Sequence, residues 1–95
     1  MPWSREEILA ATRGKILCEG RKKLFGEIVT DSTKVSKGAV FVALKGERLD
    51  GHEYIGEAVS RGAACVIVHR SLEPIGSKTT TVIRVSDTLR ALGDL

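Results

Sequence analysis

The chain has 95 residues, 42% of them hydrophobic and 28% charged, with a formal net charge of +3. That composition excludes disordered and collagen-like chains, and apolar runs such as Ala39–Leu44 are far too short to cross a bilayer. One domain fits this length, able to bury about 60 to 65% of its unfolded surface, and the small positive excess favours anionic partners without requiring one.

The opening residues Met1 to Glu7 carry acidic side chains and no apolar signal core, so a cytoplasmic location is expected. Ser4 followed by Glu7 has the form of a capping box, and it opens a first helix with Ile8, Leu9 and Thr12 on one side and Gly14 at its end. Lys15–Cys18 reads as a short strand, 19–23 as a polar turn, and Glu27–Thr30 as a second strand that delivers Asp31 and Ser32, both expected to be exposed, to its end.

Ala39–Leu44 is a continuous apolar run with β-branched and aromatic members, flanked by Lys37-Gly38 and Lys45-Gly46. This pattern suits a strand buried on both faces. Beyond it, Asp50-Gly51-His52-Glu53 reads as a capping box, starting a helix at Asp50 with Tyr54, Ile55, Ala58 and Val59 at helical spacing and Gly62 as a left-handed cap. Ala64–Val68 is again a short apolar run, and the order strand, loop, helix, strand makes a βαβ unit. In open α/β sheets ligands bind beyond the carboxyl ends of the strands. The loop 45–52 stands at such an end.

Pro74 and Gly76 mark a loop over 71–79, and Thr80–Val85 reads as a final strand. Ser86-Asp87 caps a last helix with Leu89, Leu92 and Leu95 on its apolar side. That stripe runs to Leu95 without a C-cap, so these residues are expected to be the amino-terminal piece of a longer chain.

Five groups of residues are weighed as sites. Cys18 and Cys65 lie in or beside apolar strands with no metal-ligand spacing, which suits buried, reduced thiols. Gly76-Ser77-Lys78-Thr79-Thr80 fails as a phosphate-binding loop, because Lys78 follows serine and the segment leads into a strand instead of a helix. Asp31-Ser32-Thr33-Lys34 fits a plain Asx or Ser/Thr turn, or else a Ser32 hydroxyl and neighbouring amides that meet a polar ligand. Lys45, Arg48 and His52 gather around an expected helix start that favours an anion, and they fit a solvated loop equally well. His52 has no carboxylate or second histidine at helical spacing, which argues against a catalytic or metal role. Arg13, Lys15, Arg21, Lys22 and Lys23 form a basic cluster with only Phe25 nearby for base stacking. A solvated surface explains it more simply than a small basic nucleic-acid-binding domain, the competing reading from another class.

Taken together, Thr30-Asp31-Ser32, Gly38, Phe41-Val42-Ala43-Leu44, Lys45-Gly46-Glu47-Arg48, Asp50-Gly51-His52 and Gly62-Ala63-Ala64 resemble the amino-terminal domain of the Mur ligases. The motif Gly-Glu-Arg-x-Asp-Gly-His and the closing segment Val85–Leu95 are most similar to the branch that adds D-alanyl-D-alanine to UDP-N-acetylmuramoyl-tripeptide. The branch that completes the tripeptide comes next. Two positions depart from the pattern: Thr33 stands where arginine usually follows Asp-Ser, and Ala39 where an acidic residue commonly follows the turn glycine.

The resemblance implies an α/β fold, a small open mixed sheet with flanking helices, with 1–95 as a single substrate-binding domain of a three-domain ligase whose central ATP domain and C-terminal domain lie elsewhere. It implies that Asp31, Ser32 and Thr33, with Lys45, Gly46, Glu47, Arg48, Leu49 and His52, meet the UDP part of a UDP-N-acetylmuramoyl-peptide. In the parent enzyme, ATP and magnesium activate the substrate carboxylate as an acyl phosphate, which the amine of D-alanyl-D-alanine attacks to form an amide. No cofactor and no catalytic residue is expected within 1–95, and no nucleic-acid or membrane partner.

Overall fold

The computed structural model describes residues 3–20, 24–44, 51–69 and 80–95. The chain enters through a two-residue strand, β1 (Trp3–Ser4), and turns into helix α1 (Arg5–Thr12). The expected capping box is present: the Glu7 N–H donates to Ser4 Oγ at 3.1 Å and the Ser4 N–H to Glu7 Oε1 at 3.0 Å. These bonds satisfy donors that the first helical turn leaves open. The left-handed residue that ends α1 is Arg13 (φ 57°) and not the expected Gly14. Gly14 serves a different purpose, because a Cβ there would meet Ile83 Cγ2 at 2.5 Å.

After α1 come β2 (Lys15–Cys18), β3 (Leu24–Phe25), β4 (Ile28–Val29), β5 (Val40–Val42), helix α2 (Ile55–Ser60), β6 (Cys65–Val68), β7 (Thr81–Arg84) and helix α3 (Thr88–Asp94). Five of the strands form one sheet in the order β2-β7-β6-β5-β4. β4, β5, β6 and β7 run parallel to one another, and β2 closes one edge antiparallel to β7. The mixed α/β sheet with flanking helices and the βαβ unit β5-α2-β6 are as expected. The pairing of β1 with β3, Trp3 opposite Phe25, was not, since two-residue strands carry no periodicity to read.

Alternate residues of the central strands feed two separate cores. On one side Val40, Val42, Cys65, Ile67 and Ile83 pack with Ile8 of α1, Phe25 of β3 and Ala91 of α3. On the other, Phe41, Val66, Val68 and Val82 pack with Ile55 and Ala58 of α2. A strand covered on both faces has no polar side to show, which is why Val40–Val42 and Cys65–Val68 read as unbroken apolar runs. Burial pushes the Cys65 thiol up to about 12, so it stays protonated, a small hydrophobe in the core. Ala39 is buried in the second core, where the commonly acidic residue would be desolvated. Cys18 lies in β2, its side chain outside the described atoms.

Two helices differ from their sequence reading. The segment Gly51–Tyr54 is a 3₁₀ turn, and α2 proper starts at Ile55 with no side-chain cap on Tyr54. Asp50 of the expected capping box lies outside the described residues. A tight turn ahead of the helix sets the phase that buries Ile55 and Ala58. In α3, Asp87 caps the amides of Leu89 and Arg90 as expected. The buried face, however, carries Thr88 and Ala91 with Leu92 and Leu95 beside them, and Leu89 is 68% exposed. Spacing i, i+3, i+4, i+7 follows the helical stripe, whereas Leu89 lies about 100° away from it.

The end of α2 matches expectation at Gly62 (φ 101°). The Gly62 N–H donates to Val59 O and the Ala63 N–H to Ala58 O, each at 3.0 Å, the paired bonds of a Schellman cap. Gly62 O then accepts from the Gly38 N–H at 2.8 Å, tying the segment ahead of β5 to the one ahead of β6. Gly62→Ala is expected to cost about 1–2 kcal/mol, because Cβ disfavours the left-handed region and would stand 3.1 Å from Lys37 Cα. Urea denaturation of the variant checks this, and an unchanged midpoint would contradict it.

Candidate functional site

The ladder pairs Val29 of β4 with Phe41 of β5, so both strands run out of the sheet at the same edge, side by side. The chain leaving β4 folds at once into a 3₁₀ turn, Ser32–Lys34, with Asp31 at its N-cap. Asp31 Oδ1 accepts from the Thr33 N–H at 2.9 Å and from the Thr33 hydroxyl at 2.7 Å. The Lys34 N–H bonds to Asp31 O at 3.0 Å. Thr33, which replaces the arginine common at this point of the pattern, thus braces the turn with its own amide and hydroxyl. Those two bonds, the hydroxyl first, hold the Asp31 carboxyl below its ordinary value, and the charges of Lys34 and Arg61 act the same way.

Ser32 is not exposed as its sequence suggests. It is 7% accessible, lodged against α2, and its hydroxyl donates to Glu57 Oε2 at 3.3 Å. Glu57 Oε1 in turn accepts from Arg61 Nε at 3.2 Å. The turn packs on α2 because Val35 belongs to the same core as Ile55 and Ala58, which draws Ser32 inward. With its hydrogen committed to Glu57, the Ser32 oxygen keeps its lone pairs for a ligand N–H or O–H. Local sequence reasoning missed Glu57 and Arg61, since the Ser32–Glu57 contact spans 25 residues and no motif marks it.

Of the other candidates, Lys45, Gly46, Glu47, Arg48 and Leu49 lie outside the described residues, as do 76–79 of the rejected phosphate loop and Arg21 to Lys23 of the basic cluster. His52 belongs to the 3₁₀ turn Gly51–Tyr54, its side chain outside the described atoms. The structure therefore brings Asp31, Ser32 and Thr33 together with Lys34, Glu57 and Arg61 at the carboxyl end of β4. Among the described residues no helix is long and apolar enough to cross a membrane.

A mostly parallel sheet with helices on both faces and a polar turn at the carboxyl end of an edge strand defines an open α/β domain, the class in which ligands bind beyond that end of the sheet. The sequence model of the Mur ligase family, catalytic domain, matches residues 24–95. The chain is 48% identical over 66 residues to the UDP-N-acetylmuramoyl-L-alanyl-D-glutamate--2,6-diaminopimelate ligase of Aquifex aeolicus, covering 70% of this chain and 13% of that protein. It is 41% identical over 68 residues to the UDP-N-acetylmuramoyl-tripeptide--D-alanyl-D-alanine ligase of Bacillus subtilis, covering 72% and 15%. A crystal structure of MurF from Acinetobacter baumannii superposes on all of the chain with a TM-score of 0.88 at 32% identity, and the chain covers 20% of it. The chain belongs to the Mur ligase family, and it spans about a seventh of the length of the two ligases named.

The lowered Asp31 carboxyl gives a testable sign. Asp31 contributes stability above the ordinary carboxylate value of 3.8, and this is lost as pH falls through its lower folded value. The Thr33 amide shift is expected to titrate with a midpoint below 3.8, and Asp31→Asn to abolish that titration. A midpoint at or above 3.8 would contradict the bracing of Asp31 by Thr33.

Proposed function

We propose that this chain is the substrate-binding domain of an ATP-dependent amide ligase of peptidoglycan precursor synthesis, one that adds D-alanyl-D-alanine to UDP-N-acetylmuramoyl-tripeptide. Family membership supports the class, and the structural likeness to MurF supports the branch. The ligase that adds the third amino acid is the second reading, favoured by the 48% identity to the Aquifex aeolicus protein. A ligation assay on the longer protein separates them, since one consumes D-alanyl-D-alanine and the other a free diamino acid.

The observation that carries the site is the parallel pairing of β4 with β5, which puts the ends of both strands at one edge of the sheet. Asp31, Ser32 and Thr33 form one wall of the UDP site, and the loop Lys45 to Leu49 with His52 forms the other. Ser32 accepts a hydrogen bond from the nucleotide while Glu57 fixes the direction of its hydroxyl. Lys45 and Arg48 of the second wall are assigned to the diphosphate, where charge-assisted bonds are strong. Among the described residues no group of three or more His, Cys, Asp or Glu stands together as metal ligands. ATP and magnesium belong to other domains of a longer protein, and this chain binds and orients substrate without turning it over.

Titration with UDP, followed by amide NMR, is expected to move residues 31–34 and 45–53 together. Ser32→Ala is expected to weaken binding about tenfold, the scale of one well-placed hydrogen bond, and Glu57→Gln to weaken it less. Shifts confined to residues 13–23, or an unchanged affinity in Ser32→Ala, would overturn the assignment.

A further inference from the structure

Two strands along the same edge, at the carboxyl ends of β6 and β7, the structure forms a concavity of about 750 Å³ that the nucleotide reading does not use. Its lining includes Arg13 from the end of α1, Lys15 from β2, His69 just after β6, Arg84 from β7, and Asp87 and Arg90 at the start of α3. Four separate elements, α1, β2, β7 and α3, thus bring four cationic side chains to one hollow. Among the described residues Arg13, Lys15, Arg84 and Arg90 make no ion pair. Asp87, the acid in the lining, is occupied in accepting the Leu89 and Arg90 amides.

The register sharpens this. Lys15 and Arg84 are direct partners across the antiparallel β2·β7 pair, where opposite charges attract and like charges facing each other destabilise the sheet. Sequences keep such local conflicts at functional positions, and an anion seated between the two side chains turns the conflict into a pair of charge-assisted bonds. A guanidinium offers a planar fork suited to phosphate or carboxylate oxygens, and three guanidinium groups meet here. We propose that this hollow is a second, independent site for a small multivalent anion bearing phosphate or carboxylate groups, with Lys15 and Arg84 as its central contacts.

Amide NMR titrations of the chain with sodium pyrophosphate and with citrate, at constant ionic strength, test the site and name its chemistry. Saturable shifts are expected at residues 13–15 and 84–90 and to persist with UDP at saturation. Tighter binding of pyrophosphate assigns a phosphate ligand, and tighter binding of citrate a carboxylate. Arg84→Ser is expected to weaken binding about tenfold. Lys15→Thr is expected to raise the thermal midpoint without anion, and pyrophosphate to raise the wild-type midpoint more than that of the variant. The proposal fails if no saturable shift appears at these residues, if UDP abolishes it, or if both variants bind as the wild type does. Failure here leaves the UDP assignment standing, because that rests on residues 31–34 and 45–53.

Discussion

Strands β5 and β6 have no face toward water, and this double burial is the constraint on which everything else in the domain rests. Val40 and Val42 point into one core and Phe41 into the other, so neither strand can slip by one residue without exchanging the two sets. Register, once fixed in the centre, is passed outward to β4 and β7 through parallel pairing. The carboxyl ends of β4, β5, β6 and β7 then share one edge by necessity. Among the described residues α1 and α3 cover one face of the sheet and α2 the other, and the carboxyl end of β4 carries the polar turn Ser32–Lys34.

Polar detail at the edge is layered onto that apolar frame. The 3₁₀ turn after β4 is stabilised from within by Asp31 and Thr33 and from outside by α2, where Glu57 reaches Ser32. Glu57 is itself balanced by Arg61 one helical turn on, the favourable i, i+4 order of acid before base. Such an arrangement positions a hydroxyl before any ligand arrives, so less order has to be imposed on binding. At the far end of the edge the logic reverses. Lys15 and Arg84 are held opposite each other with no ion pair to an acid among the described residues, and both residues are exposed, so solvent screens the repulsion.

How far the sequence alone could be read follows from the range of each interaction. The Ser4–Glu7 box, the Asp87 cap and the Gly62 cap are contacts within a few residues, and each was legible as a local pattern. The βαβ unit was legible too, because doubly buried strands leave apolar runs that period and flanking glycines delimit. Leu89 was misplaced since a leucine at i, i+3, i+6 imitates a stripe, while the true stripe uses Thr88 and Ala91, residues that carry little hydrophobic signal. The burial of Ser32, the role of Glu57 and the convergence of Arg13, Lys15, Arg84 and Arg90 all arise from tertiary contacts between distant segments. No spacing in the sequence announces them.

The central claim is that one nucleotide touches the turn after β4 and the loop after β5 at once, because the β4·β5 ladder sets the carboxyl ends of the two strands side by side. Intermolecular NOEs from the uracil and ribose protons of bound UDP measure this most directly. The account predicts cross-peaks in a single complex to residues 31–34 and also to residues 45–52. Cross-peaks to only one of these segments, or to the opposite edge of the sheet near Gly38 and Gly62, would contradict it.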